Sequence, residues 1–212
     1  MWVNHEDRIM KIAFIGATGF IGQHILAEAI NRQHQVTALV RDTSKVVAHA
    51  QVTSKTLDSN NARAVTAALA GHDVAIISFH YLNVDFPALI NAVKASGVKR
   101  LLVVGGAGSL EVAPGVRVID TPDFPDEWKA VAQAAIGFLD ALRAEKTLDW
   151  VYVSPSAFIE PGQRTGKFRI GSEQLLVDEK GESRISNQDF AVAVIDELEQ
   201  PQHHQKRFTV GY

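Results

Sequence analysis

The chain has 212 residues, 46% of them hydrophobic and 21% charged, with a net charge of −3 and no cysteine. A mildly acidic balance without a lysine or arginine cluster argues against a nucleic-acid surface. The lack of cysteine excludes disulfides, thiolate metal sites and thiol nucleophiles, in keeping with a cytoplasmic setting.

No apolar run approaches the ~20 residues that cross a bilayer, and the polar start "MWVNHEDRI" lacks the apolar core of a signal peptide. Residues 1–10 are expected to form a flexible extension ahead of one domain over 11–212. Lys11–Ile15 reads as a short apolar strand. Gly16–Gly22 follows without a linker, and then Ile21, Ile25, Leu26, Ala29 and Ile30 recur at helical spacing. Gln35–Val40 reads as a second strand, and a weak strand signal lies near Ala48–Thr53. Next come helix Ala62–Leu69, strand Val74–Ser78, helix Phe86–Ser96, strand Arg100–Val104, a loop, helix Asp126–Lys146 and strand Trp150–Val153. Gly71 and Gly97, just past two of the helices, suit C-caps.

Such alternation implies an α/β fold: a Rossmann-type doubly wound parallel sheet with helices on both faces. After Val153 the pattern turns irregular, with a loop, a hairpin around Lys167–Asp178, helix Asn187–Glu199 and a last strand Arg207–Gly211. This reads as a small C-terminal cap, mainly residues 155–186.

The stretch "FIGATGFIG" has the context a dinucleotide fingerprint requires, with a strand before it, a helix after it and the next strand about 20 residues on. Gly16 would permit the sharp turn, Gly19 would let the backbone approach a pyrophosphate, and Gly22 would let the helix pack on the sheet. The ligand's charge would meet free N–H groups and the positive end of the helix dipole. A plain strand-to-helix turn is the alternative. "LVRDTSK" then puts Arg41, Asp42, Ser44 and Lys45 where the adenosine ribose belongs. An arginine there receives the 2′-phosphate of NADP, whereas an acid bonds the 2′-OH of NAD. Arg41 comes first, which favours NADPH; Asp42 keeps NADH open, and a solvated surface charge is the plainer reading of Arg41.

With these residues in view, the chain resembles the atypical short-chain dehydrogenase/reductases of the NAD(P)H-binding, NmrA-like type. Within it the resemblance points to the bacterial NADH-flavin reductase group, related to the biliverdin-IXβ/flavin reductases. It rests on "KIAFIGATGFIG", "VRDTSK", "GVKRLLVVGGAGSL", "SPSAFIEPGQRTGKFRIG" and the tail "SRISNQDFAVAVIDELE…RFTVGY", and covers nearly all of the chain after Met10. It implies that Gly16, Thr18, Gly19, Phe20 and Ile21 hold the pyrophosphate and Arg41 the 2′-phosphate. It also implies that Leu57 and Asp58 flank adenine and that Ser78 and Phe79 lie along the nicotinamide ribose. Gly105, Gly106 and Ala107 would follow the fifth strand, and Pro155, Ser156, Ala157 and Phe158 would close over the nicotinamide.

The main branch of that family pairs Tyr-x-x-x-Lys on one helix face as proton donor and activator. No such pair exists here: four places after Tyr81 and Tyr152 stand Asp85 and Ser156, and the nearest equivalents of the pair are Trp128 and Ala132. Hydride transfer to a flavin demands orientation and stacking more than a positioned acid. His80, Tyr81, Trp128 and Phe158 would supply flat walls, and Ser109 a hydrogen bond to substrate. Trp128 is also in register with Val131, Ala135, Leu139 and Leu142 for burial, His80 suits an ordinary loop, and Ser109 suits a turn cap. In the biliverdin-type reductases a serine and a histidine lie near the nicotinamide; Gly106 and Ala157 stand there in this chain, against bilin reduction. Arg164 and Lys167 in "RTGKF" suggest either contacts to a flavin phosphate or a solvated turn. His203-His204 reads as a solvated loop without a metal.

The expectation is an NADPH-dependent reductase of a planar small-molecule acceptor, with flavin as substrate rather than a tightly bound cofactor. A non-catalytic NADP(H) sensor of NmrA-like type is the alternative. A nucleotide-sugar epimerase is disfavoured by chain length and by the missing tyrosine. Monomer and dimer both stay open.

Overall fold

A computed structural model describes residues 9–212. Most of the expected N-terminal extension, residues 1–8, lies outside the described residues. Met10 is buried, and its N–H donates to His34 Nδ1 at 3.3 Å.

Strand β1 (Lys11–Ile15) leads through the glycine turn into α1 (Gly22–Asn31), followed by β2 (Gln35–Val40), β3 (Val52–Thr56), α2 (Ala62–Leu69), β4 (Val74–Ile77), α3 (Phe86–Ala95) and β5 (Arg100–Val104). A small hairpin, β6 (Glu111–Ala113) and β7 (Val116–Arg117), occupies the expected loop before α4 (Asp126–Ala144) and β8 (Asp149–Ser154). The chain continues through β9 (Phe158–Glu160), β10 (Arg169–Gly171), β11 (Arg184–Ser186), α5 (Asn187–Glu199) and β12 (Lys206–Gly211).

Eight strands form one sheet in the order β10-β12-β8-β5-β4-β1-β2-β3, every neighbouring pair parallel except β10–β12. The doubly wound Rossmann-type fold is therefore present. Alternation along β1 explains the two layers: Ile12 and Phe14 face α1 and α5, while Ala13 and Ile15 face α2, α3 and α4. Each large apolar side chain so buried contributes about 1.5–3 kcal/mol. Among the described residues no helix is long and apolar enough to cross a membrane.

Two expectations shift. The weak third strand runs Val52–Thr56 rather than Ala48–Thr53 and is mostly exposed at the sheet edge, which is why its apolar signal is thin. The expected hairpin at Lys167–Asp178 does not form. Arg169–Gly171 pairs instead with Thr209–Gly211 some 40 residues away, a long-range partnership invisible to local pattern.

Candidate functional site

β1, β2, β4, β5 and β8 end at one edge of the sheet, where the chain crosses from β1 to neighbours on opposite sides, the position in such sheets where ligands bind. Gly16 has φ +90°, and a Cβ there would fall 2.0 Å from the Ser78 carbonyl oxygen. A Cβ on Gly22 would fall 2.1 Å from the Gly16 oxygen. These two glycines thus weld the turn to the end of β4 and to α1. Gly19 differs: it is exposed, and its nearest protein atom to a Cβ would be Gly16 O at 3.5 Å. The N–H groups of Thr18, Phe20 and Ile21 find no acceptor among the described residues.

Helix α1 also lacks a side-chain N-cap and has no acid in its first turn. By contrast α2, α3 and α5 are capped by Asn61, Asp85 and Ser186. An open glycine backbone at an uncapped, acid-free helix start fits a pyrophosphate.

Just beyond β2, Arg41 is exposed and makes no hydrogen bond or ion pair among the described residues. Asp42 is engaged. Its Oδ1 accepts from Ser44 N (3.0 Å) and Ser44 Oγ (2.7 Å), and Lys45 Nζ stands 4.0 Å from Oδ2. The Ser44 hydrogen bonds hold this carboxyl below its ordinary range. Of the adenine pair, Leu57 packs into the core with Val65 and Leu69, so only its backbone is open to a ligand; Asp58 is exposed and caps Asn60 N at 3.0 Å.

Past β4, Ser78 is buried, with its N–H on Ile15 O at 2.9 Å; Phe79 is half-buried and His80 exposed. Tyr81 corrects the sequence expectation of a substrate wall. It is 3% exposed, its hydroxyl donates to the Val104 and Ile77 carbonyls, and its ring is boxed in by Phe79, Phe86 and Phe138. It is core.

Past β5, a Cβ on Gly105 would overlap the Tyr152 ring at 1.9 Å. Tyr152 Oη accepts from Gly106 N (3.2 Å) and donates to Ala135 O (3.0 Å), and burial pushes its pKa up to about 12. Ala107 is half-buried, its oxygen accepting from Leu110 N at 2.9 Å. Ser109 is buried, its Oγ accepting from Arg207 Nη1 at 2.8 Å.

The first turns of α4 cover this loop. Gly106 lies against Ala135, and Gly108 lies under Ala132, where a glycine Cβ would come within 3.0 Å of the alanine's. Ala132, the position equivalent to the missing lysine, is half-buried over this loop. Trp128, one turn above Ala132 on the same face, is 52% exposed, so the burial alternative fails and the aromatic wall stays available.

Past β8, Pro155 and Ser156 are buried, and Ser156 Oγ donates to Val210 O at 2.9 Å. Ala157 is exposed with its N–H on Ser183 Oγ at 3.1 Å, and Phe158 is 66% exposed.

Arg164 stands in an exposed irregular segment, as the solvated-turn reading has it, and its guanidinium is engaged, gripping buried Glu28 of α1 through Nε (2.9 Å) and Nη2 (2.7 Å). Lys167 is exposed. His203 and His204 lie in the loop before β12, His204 exposed but His203 half-buried. The His203 ring stacks on Phe208 at 4.4 Å, and Nδ1 bonds Glu197 Oε2 at 2.8 Å. No grouping of three potential metal ligands occurs among the described residues.

Sequence reasoning missed the role of Tyr152 and Arg207 beneath the loop after β5. A charged residue opening the otherwise apolar "RFTVG" run was the available signal for Arg207.

Comparison with known proteins agrees with this geometry. A family model described as NAD(P)H-binding matches residues 16–201. The chain is 41% identical over 208 residues to the uncharacterized protein YwnB of Bacillus subtilis, covering 95% of this chain and 98% of that one. It resembles the solved structure of a "putative epimerase" from Bacteroides thetaiotaomicron (TM-score 0.92, 42% identity, 97% and 98% of the two chains covered). It also resembles a "putative NADH-flavin reductase" from Streptococcus pneumoniae (TM-score 0.81, 37% identity, 95% and 99% covered).

Proposed function

The chain belongs to the NAD(P)H-binding family, and from that premise we propose that it is a cytoplasmic NADPH-dependent reductase of a flavin or quinone-like planar acceptor. The observation that carries the reading is the contrast at the end of β2: Arg41 has no partner among the described residues, while Asp42 is tied to Ser44. The bound dinucleotide would supply the hydride. Gly19 and the start of α1 would take its pyrophosphate, and Arg41 its 2′-phosphate.

Phe79 on the loop after β4, Phe158 at the start of β9 and Trp128 in the first turn of α4 give exposed or half-exposed rings suited to orienting a flat acceptor. Ketone reduction by a tyrosine acid is disfavoured, because both Tyr81 and Tyr152 are buried with their hydroxyls bonded to backbone. The same point weighs against an epimerase. The name of the Streptococcus protein, a "putative NADH-flavin reductase", supports a reductase reading.

A second reading, a non-catalytic NADP(H) sensor, is favoured by the lack of a tyrosine–lysine proton-transfer pair, Ala132 standing where the lysine would be. The deciding assay is NADPH oxidation with FMN, FAD and a simple quinone offered in turn, and NADH in parallel. Turnover that disappears in Gly19→Asp supports the reductase. Tight NADPH binding with no turnover on any acceptor supports the sensor.

A further inference from the structure

We propose that the acceptor carries an anionic tail, and that an open cleft between α4 and the hairpin after β5 receives this tail through Arg117 and Lys129; the inference rests on the reductase reading above. The cleft encloses about 360 Å³ and is lined by Arg117, Ile119, Asp120, Lys129, Gln133 and Ile136.

Its place follows from the local fold. Helix α4 returns the chain from β5 to its parallel neighbour β8, so its first turn lies at the carboxyl side of the sheet. Ala132 then seats that half of α4 over Gly108. The single turn Val118–Asp120, which follows β7, is moored to the same loop: Ile119 N donates to Gly108 O at 3.0 Å and Val118 N to Leu110 O at 2.8 Å. One wall of the cleft is this turn. The other is the flank of α4 formed by Lys129, Gln133 and Ile136, which stack at four- and three-residue spacing. Both walls therefore hang on Gly108, directly after the expected cofactor residues Gly105, Gly106 and Ala107. Lys129 also directly follows Trp128, so a ring held at Trp128 and a tail held in the cleft are neighbours.

The lining holds two cations and one carboxylate, a local positive excess in a chain whose net charge is −3. Arg117 reaches Asp120 through Nε (2.7 Å) and Nη2 (3.0 Å), which uses two of the five guanidinium donors. Lys129 Nζ meets Asp126 Oδ1 at 2.6 Å, which uses one of its three. Both pairs are open to solvent, Arg117 and Lys129 being 45% and 48% exposed. Exposed pairs of this kind contribute little, so the remaining donors can turn to a ligand at small cost. Ile119 and Ile136 add an apolar floor and Gln133 an amide. From Lys129 to Ile136 the flank runs about 10 Å along the helix. Such a surface suits a short linker that ends in a phosphate or carboxylate, the tail that FMN carries and riboflavin lacks.

The test compares these two flavins, which share one ring and one sugar alcohol and differ in the phosphate. Equilibrium binding, followed by flavin fluorescence, and steady-state reduction under saturating NADPH are measured for wild type, Arg117→Gln, Lys129→Gln and the double variant, at low and high salt. Wild type is expected to bind FMN about tenfold more tightly than riboflavin at low salt, with a correspondingly lower KM, and salt should shrink the difference. Each single variant should lose part of this preference, and the double variant all of it, with FMN falling to the riboflavin value. Riboflavin has no charge to place in the cleft, so its binding should follow wild type in every variant. Equal affinity for the two flavins in wild type, a preference for FMN that survives the double variant, or equal losses for both flavins overturns this inference and leaves the reductase reading standing. A wild type that neither binds nor reduces either flavin contradicts the reductase reading, and this inference with it.

Discussion

At the amino ends of β5 and β8, Arg100 is enclosed by Asp149 (2.6 Å), Glu197 (2.6 Å) and the His203 carbonyl (2.8 Å), and His204 bonds Asp149 at 3.0 Å. At the carboxyl ends of β1 and β2, Arg41 stands exposed without a partner among the described residues, and α1 begins without a side-chain cap. Both regions are polar and both rest on the same parallel sheet. In the first, each charge is answered from within the chain, and the result is cohesion between β5, β8 and α5. In the second, donors and a cation are left unanswered, which costs stability and leaves them available to an anionic ligand.

The comparison can be broken at either end. Glu197→Ala should be the most damaging change, because it removes one of the two carboxylates on a buried guanidinium whose Nε lacks a partner, and with it the acceptor for Gln202 N and His203 N. A loss of about 3–5 kcal/mol is expected in urea unfolding, with NADPH affinity unaltered. At the other end, Gly16→Ala forces a side chain onto φ +90° and into the Ser78 carbonyl. It should cost about 2–4 kcal/mol in unfolding free energy.

Gly19→Ala meets nothing closer than 3.5 Å, so its melting temperature should stay near wild type while its stabilisation by added NADPH shrinks. If both glycine variants melt alike, the distinction between a glycine the turn needs and a glycine the ligand needs collapses.

The smallest effect concerns Asp189, a carboxylate buried at the start of α5. Burial raises its pKa, but donation from Thr165 Oγ1, Gly166 N and Tyr212 Oη, together with Thr165 N, brings it below the ordinary value. A depressed folded pKa means its contribution is complete above the unfolded value of about 3.9 and is lost as pH falls through the folded one. Asp189→Asn should therefore lower stability near neutrality and flatten the acid side of the profile, so that the two proteins converge below about pH 4, measured by thermal melts.

The parts of this architecture legible from sequence were those written in local pattern. The β1–α1–β2 unit announces itself through three glycines and a continuous apolar strand, and Gly71 and Gly97 mark helix ends with φ of +80° and +77°. Partnerships across distance were not legible. Tyr81 looked like a loop aromatic until Phe86 and Phe138 closed around it. Arg164 looked free until Glu28, 136 residues earlier, claimed it. The pairing of Arg207 with Ser109 spans 98 residues and carries no local signature. Trp128 went the other way: its helical register suited burial, but α4 extends past the sheet before it reaches its packed half.

The central claim is that the open carboxyl edge holds NADPH through Arg41. Equilibrium binding of NADPH and NADH, followed by nicotinamide fluorescence in wild type and Arg41→Ala, tests it most directly. The account predicts that the substitution weakens NADPH by about 10- to 100-fold, the value of one charge-assisted bond of about 1.5–3 kcal/mol, and leaves NADH unchanged. Equal losses for both dinucleotides, or none for either, would contradict it.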